Sequence, residues 1–366
     1  MLKEIKFSFL IKFIGIFSTI LFAYVIQIMS EEQLKLLYWV GLFNLLRMID
    51  FSLPYINRQL SFKGLKLKKL HEIVANIILS LVAFFILLHY TNQSIFFIIF
   101  FVILARFHSF LSYKLNIKQM SYLFNIPMYG GVYVCSVLVL LEFTWELIYI
   151  YFGFFSIICV PIFLIAKKQQ NFHEVQIQNI INWNYLLHFL NTLIFAIYSE
   201  FHSVFAYGWI EAESYADINS LIRVSLLCIS GVGIITLANW NQYGQKLSYF
   251  DEKINISIPF FGILTLIYAV LSISLETKLW FSNLYCQFIF YLILCIFNFI
   301  QSQILVRFER TFVLLCLTIL ETGIAIYAYK NFVSVELLFA VLNISQIVKL
   351  IAQGIGVRNV FNNHSS

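Results

Sequence analysis

The chain has 366 residues, of which 61% are hydrophobic and 11% are charged, with a formal net charge of +6. A soluble domain carries about 25% charged residues, and this chain has only 14 Gly and 4 Pro to form turns, so the composition excludes a soluble globular protein. The positive charge does not indicate nucleic acid, because it lies in short links between apolar segments.

Twelve apolar segments fill the chain, each long enough, at roughly 18–25 residues, to cross a bilayer. The first is interpreted as a retained span, because no small-residue cleavage site of a signal peptide follows it. We therefore predict an all-α, polytopic membrane protein with about 12 transmembrane helices. The predicted spans are 7–28, 34–56, 73–90, 95–112, 121–141, 147–165, 180–200, 217–239, 254–275, 280–299, 311–329 and 335–355.

The links between the spans alternate in charge. If the N-terminus lies inside, the inner links carry sixteen Lys and Arg residues, whereas the outer links carry only Lys35, Lys278 and Lys330. Because basic links stay on the cytoplasmic side, this bias predicts that both termini are cytoplasmic. The outer links are short and contain no Arg.

The two halves of the chain partly repeat each other. A shift of 176 residues (223 − 47) places Leu45-Leu46-Arg47 on Leu221-Ile222-Arg223, and Leu10-Ile11-Lys12-Phe13 on Leu186-Leu187-His188-Phe189. An even number of spans per half gives parallel repeats, so we predict six-helix bundles over 1–170 and 171–366. Chance similarity between apolar segments is the alternative.

Ionisable residues inside the spans are the candidate functional residues, because each costs roughly 2.5–3.5 kcal/mol at the bilayer centre. Arg47 and Asp50 lie on one helical face of the second span, with Asn44 one turn before Arg47. Lys12 lies at a similar depth to Asp50. A Lys12–Asp50 pair would leave the Arg47 guanidinium for an anionic ligand, and a closed structural cluster of all three is the alternative.

Spans seven and eight carry the matching polar residues of the second half. Arg223 has no acidic neighbour at helical spacing, so it is a candidate ligand contact, with snorkelling to the outer interface as the alternative. The stripe along span seven predicts a helix that lines an aqueous cavity or forms hydrogen bonds to other helices. Its members are Asn184, His188, Asn191, Tyr198 and His202.

The last two spans contribute a carboxylate and a second polar face. Glu321 lies near the middle of span eleven, where it could form a structural ion pair with Lys349 or act as an ion-coupling carboxylate. The face on span twelve consists of Asn343, Gln346, Lys349 and Gln353. Arg106 and Glu200 lie near span ends, where we expect them at the membrane interface.

Motifs of soluble enzymes are missing from the sequence. There is no P-loop, no GxSxG, no HExxH and no CxxC pair. All six Cys fall within predicted spans, without metal-ligand spacing. We therefore predict a non-enzyme that uses neither a metal ion nor a cofactor.

Two stretches resemble a known family. Asn44-Leu45-Leu46-Arg47-Met48-Ile49-Asp50-Phe51 before a basic link, and Tyr207-Gly208-Trp209 leading to Leu221-Ile222-Arg223, are similar to polysaccharide (O-antigen, Wzx-type) flippases. These belong to the multidrug/oligosaccharidyl-lipid/polysaccharide exporter superfamily. The sequence departs from the family pattern at Met29-Ser30-Glu31, where a Leu-Gly-Pro entry to the first link is usual.

The resemblance implies two bundles around a cationic cavity. It implies a flippase that moves a polyprenyl-diphosphate-linked oligosaccharide, such as an O-antigen repeat unit, to the outer leaflet of a bacterial inner membrane. It further implies membrane lipids, a polysaccharide polymerase and a chain-length regulator as partners, and no nucleic acid. The implied cavity cations are Arg47 and Arg223, with Lys12 and His188 as their counterparts on spans one and seven. From the residues themselves, we add Lys349 as a further cavity cation, Asp50 and Glu321 for ion coupling, and Asn44, Asn184, Asn191 and Gln346 as polar lining.

Two other functions are compatible with a polytopic chain. An O-antigen polymerase, a membrane glycosyltransferase, would be expected to carry a large outer loop with catalytic Arg residues, which the short outer links do not provide. A drug/cation antiporter of the same superfamily would favour a cavity dominated by carboxylates, whereas the deep charges here are mostly cationic.

Overall fold

The protein is described by a computed structural model that covers 2–49, 65–67, 69–91, 93–117, 123, 125–143, 146–167, 173–175, 183–223, 284–307, 311–331 and 335–364. For Lys12, Asn184, His188 and residues at several helix ends, only the backbone is described. Within these ranges the protein is all-α, apart from one pair of short strands.

Eleven helices and two strands occur in the described ranges. Every predicted span except 254–275, which lies outside those ranges, overlaps one of the helices, so the predicted fold class is confirmed. The elements are α1 Leu2–Ile26, α2 Glu31–Met48, β1 Leu65–Leu67, α3 Lys69–Tyr90, α4 Ile95–Ile117, α5 Ile126–Leu140, α6 Leu147–Lys167, β2 His173–Val175, α7 Trp183–Val204, α8 212–223, α9 Leu284–Arg307, α10 Thr311–Asn331 and α11 Val335–His364.

The helices pack as two units, 1–208 and 209–366. The predicted division into two six-helix bundles at residue 170 stays a prediction, as does the cytoplasmic location of the termini. The shift of 176 residues places α1 and α2 on chain ranges that overlap α7 and α8, as the repeat requires.

Residues next to its N-terminus fix where α2 begins. Ser30 caps the helix, because its side chain accepts a hydrogen bond from the Gln33 N–H while its own N–H donates to Gln33 Oε1. Glu31 and Glu32 occupy the first turn, where negative charge favours the positive end of the helix dipole.

Aromatic side chains form the core of the first unit. Phe43 of α2 lies within 5.0–5.6 Å, ring centre to ring centre, of Phe101 on α4 and of Phe152 and Phe155 on α6. Trp39, one turn before Phe43, contacts Phe101 at 5.1 Å. Edge-to-face aromatic contacts of this kind add to the free energy of apolar burial, so α2 is held firmly against α4 and α6.

The two short strands join separate links. β1 and β2 pair in parallel, with Leu65, Lys66 and Leu67 opposite His173, Glu174 and Val175. The segment Leu65–Leu67 before α3 and the segment His173–Val175 before α7 therefore lie side by side.

The second unit is built on α11, which packs against α9 and α10. Leu305 of α9 lies against Gly356 of α11, and Tyr291 of α9 contacts Phe339 of α11 at 5.6 Å. One face of α11 therefore packs against other helices, while Leu337, Ile344 and Ile351 on another face are exposed.

Several helices expose an apolar face, as contact with the hydrocarbon of a membrane requires. Within the described residues, three helical segments are long and apolar enough to cross a membrane: Leu147–Ile165, Phe312–Asn331 and Val335–Gly356. Shorter apolar helical segments occur in α1, α3, α4, α5 and α9. The outward apolar face of α3 includes Val74, Ile77, Ile78, Leu81 and Phe85.

Candidate functional site

The candidate functional residues fall into two clusters, one in each unit. The first, here named the α2-terminus cluster, consists of Asn44, Arg47, Arg106 and Tyr129. The second, named the α11 amide cluster, consists of Asn298, Glu321, Gln346, Lys349 and Gln353.

In the α2-terminus cluster, a buried arginine closes the end of α2. The helix stops at Met48, and the backbone leaves the helical conformation at Ile49, with φ −80° and ψ 86°. Arg106 of α4 is only 6% exposed and donates a 2.7 Å hydrogen bond from Nη1 to the Ile49 carbonyl. Because the carbonyl end of a helix is electronegative, this position stabilises the buried guanidinium. Arg106 is therefore buried within the protein, and its expected position at the membrane interface stays a prediction.

Arg47 adds a second guanidinium at the same end of the helix. Its side chain is half-buried in the last turn of α2 and interacts electrostatically with Tyr129 of α5. Tyr129 in turn lies against Gly15 of α1, where the Cβ of any other residue would overlap its ring. Asn44 is buried one turn before Arg47. Three helices thus fix the surroundings of Arg47.

The polar face of α7 packs against α2. A Cβ at Gly41 would lie 2.6 Å from the Ser203 Cβ and 3.3 Å from the Glu200 carboxylate, so the close approach of the two helices requires glycine there. Glu200 is 5% exposed, and its expected position at the membrane interface stays a prediction. His202 is also buried on this helix, and Asn191 is half-buried.

Several predicted site residues are placed only by their helix. Lys12 lies on α1, one turn before Gly15, and Asn184 and His188 lie on α7. Asp50 lies outside the described residues. The predicted Lys12–Asp50 pair and its alternative therefore stay predictions. Arg223 is half-buried in the second unit and is the last described residue of α8.

Four members of the α11 amide cluster, Asn298, Glu321, Gln346 and Lys349, form a connected hydrogen-bond network, whereas the side chain of Gln353 has no hydrogen-bond partner among the described residues. Glu321, 2% exposed, accepts hydrogen bonds on Oε1 from Gln346 Nε2 and on Oε2 from Lys349 Nζ. Asn298 Nδ2 donates to the Gln346 carbonyl at 2.9 Å and to Gln346 Oε1 at 2.7 Å. The ion pair is one of the two alternatives that the sequence offers for Glu321. Three predicted site residues, Glu321, Gln346 and Lys349, thus meet in one place.

Sequence reasoning missed Asn298 and Tyr129. Asn298 is one of the few polar residues in its span, and this was the signal that could have found it. Tyr129 gives no such signal, because its role depends on the gap that Gly15 leaves on another helix.

Within the described residues, no three His, Cys, Asp or Glu side chains come together. The described cysteines are free thiols. The polar groups available for ligands are guanidinium, ammonium, amide and carboxylate, which suits the binding of charged or hydroxyl-rich groups without a metal.

Comparison with known proteins gives the class of fold. No family model matches the chain, and no curated protein matches it. A transporter of the MOP superfamily from Pyrococcus furiosus Vc1 (DSM3638) is similar in structure, with 11% identity over 99% of this chain and 96% of that chain, and a TM-score of 0.53. A mutant MATE protein matches 97% of this chain and 94% of that chain, also with 11% identity and a TM-score of 0.53.

The chain therefore has the fold of a MOP-superfamily transporter, a multi-pass membrane protein.

Proposed function

We propose that this protein is a flippase that moves a polyprenyl-diphosphate-linked oligosaccharide, such as an O-antigen repeat unit, from the cytoplasmic to the outer leaflet of a bacterial inner membrane. The observation that carries the proposal is the pair of guanidiniums, Arg47 and Arg106, at the end of α2 within an apolar helical unit. Ionisable groups at such depth are costly and are rarely retained without a function.

The cargo chemistry fits an arginine site. A sugar diphosphate cannot enter hydrocarbon unaided, because its charges and hydroxyls would lose their water. An arginine fork replaces that hydration with two parallel hydrogen bonds to phosphate oxygens. In the Pyrococcus transporter a binding pocket of reverse polarity suggests a different function. A cationic site here would select an anionic cargo.

In this proposal Arg47 and Arg223 are the cations that bind the anionic cargo, each within its own repeat, with Lys12 and His188 on the preceding span of each repeat. Lys349 contributes less to cargo binding, because its ammonium already forms an ion pair with Glu321. The two repeats then rock to expose the site on the other side of the membrane. The polymerase and chain-length regulator would act on the delivered units in the same membrane.

The direct test is substitution of the two arginines. In a source strain that lacks the chromosomal gene, Arg47→Ala and Arg223→Ala should each abolish surface polysaccharide while the amount of membrane-inserted protein is unchanged. Lys35→Ala, at an exposed outer position, is the matched control and should restore wild-type polysaccharide. Normal polysaccharide from both arginine variants would contradict the proposal.

A drug/cation antiporter is the second candidate, because Glu200 and Glu321 are buried carboxylates within the described residues. The two candidates differ in cargo charge. Proteoliposomes that contain the protein should translocate a labelled polyprenyl-diphosphate sugar and should not transport an organic cation such as ethidium. Ethidium extrusion without lipid translocation would favour the antiporter.

A further inference from the structure

The Glu321 carboxylate in the α11 amide cluster has both of its oxygens occupied from one helix. Gln346 donates to Oε1 and the Lys349 ammonium contacts Oε2, and these two donors are three residues apart on α11. The Lys349 side chain is 14% exposed, so the pair lies largely away from solvent. Burying two charges is costly, and direct contact between the ammonium and the carboxylate offsets part of that cost.

The surroundings of this pair are rich in oxygen. Among the described residues, Asn298 Oδ1, Gln301 Oε1 and both polar atoms of the Gln353 side chain are buried and have no hydrogen-bond partner. Gln353 is fully buried and lies one turn after Lys349 on the same face of α11. A buried polar group without a partner costs free energy, so these three oxygens and the Gln353 nitrogen require an explanation that packing does not give.

Carboxylate and amide oxygens around a dry pocket are the ligands that monovalent metal cations prefer, because they replace the hydration shell of the ion. A lysine ammonium is a compact point charge on a flexible stem. It can therefore occupy the position of such an ion while remaining attached to the chain.

We propose that the α11 amide cluster is a monovalent-cation site that the protein fills with its own Lys349 ammonium. The wild-type protein then needs no alkali cation at this site. If the lysine side chain is shortened while Glu321 and the amides remain, the site should bind Li⁺, Na⁺ or K⁺ in its place. This inference does not depend on the identity of the transported cargo.

Thermal unfolding of the purified full-length protein in detergent tests it, with LiCl, NaCl or KCl compared with choline chloride at equal ionic strength. The wild-type midpoint should be the same in all four salts. Lys349→Ala should melt lower in choline and recover saturably in at least one alkali salt, by about 5 °C at saturation. The recovery should disappear in Lys349→Ala/Glu321→Gln, because the carboxylate supplies the charge that binds the ion.

Lys349→Met is the matched control, because its side chain fills most of the same volume without charge, and its midpoint should not depend on the cation. Three results would overturn the proposal: a wild-type protein stabilised by an alkali ion, a Lys349→Ala variant that responds to none, or a response that survives Glu321→Gln. If Lys349→Ala does not fold in choline, the readout is the yield of folded protein. Recovery only in an alkali salt supports the proposal, and no recovery in any salt overturns it.

Discussion

The two units of the molecule carry charge inside the membrane in different ways. In the first unit, the guanidiniums of Arg47 and Arg106 gather at the carbonyl end of α2, and Arg106 is stabilised by a backbone oxygen. In the second unit, Lys349 meets a full carboxylate, Glu321, inside a network of amides. A backbone dipole offsets only part of a unit charge, whereas a carboxylate offsets all of it. The guanidiniums of the first unit therefore lie at a helix terminus, whereas the ammonium of the second unit lies in an ion pair.

Removal of one partner would break the closed arrangement in the second unit. Glu321→Met should lower the free energy of unfolding by about 3–5 kcal/mol, because it leaves the Lys349 ammonium buried without its carboxylate. Glu321→Met/Lys349→Met should regain most of the loss, since neither charge is then buried. Denaturant unfolding in detergent measures both. Equal stability of Glu321→Met and the wild type would show that the pair is not held away from solvent.

Removal of the Arg106 guanidinium from the first unit should lower the free energy of unfolding by less, because its hydrogen bond to Ile49 is made with a neutral carbonyl oxygen. Arg106→Met removes the hydrogen bond to Ile49 O, and we expect a loss of about 2 kcal/mol. Arg106→Lys keeps a donor and the charge and should fall between Arg106→Met and the wild type. The same unfolding assay applies, and a loss from Arg106→Met as large as that from Glu321→Met would remove the contrast between the units.

A substitution at Gly41 measures the contribution of packing to the stability of the first unit without changing any charge. Gly41→Ala places a Cβ 2.6 Å from the Ser203 Cβ, and overpacking of this kind should cost about 1–2 kcal/mol. Gly153→Ala on α6 is the control, because nothing lies within 4 Å of its added Cβ; it should be neutral or slightly stabilising. A neutral Gly41→Ala would indicate that α2 and α7 pack less closely than described.

An exposed ion pair sets the baseline for both units. Lys35 and Glu32 lie 3.9 Å apart with side chains that are 52% and 90% exposed. Lys35→Gln should change the free energy of unfolding by about 0.5 kcal/mol or less, because water screens the pair. A larger effect in the unfolding assay would mean that loss of a surface charge alone changes the free energy of unfolding. The losses measured at Glu321 and Arg106 would then have to be reduced by the same amount.

The sequence predicts the fold class well, because the membrane imposes a strong rule: apolar segments of a fixed length become helices. The polar face of α11 and its partner Glu321 were also predictable, because polar residues in an apolar helix must find one another or water. Helical spacing alone placed Gln346 and Lys349 on one face.

Contacts between helices that are distant in sequence were not predictable. Arg106 and Glu200 lie near the ends of their predicted spans, and depth alone placed them at the interface. Their burial depends on which helix packs beside them, namely α2, and on the missing side chain at Gly41 that lets α7 approach. Helical periodicity describes one helix at a time and carries no information on such pairs.

The Glu321–Lys349 pair also has an electrical consequence. A unit charge that crosses a membrane potential gains or loses about 2.3 kcal/mol per 100 mV, but a bound pair with no net charge does no such work when its helices move. Movement of the α11 amide cluster would not depend on the membrane potential. Any current measured during a transport cycle would therefore come from the cargo and from charges in other regions.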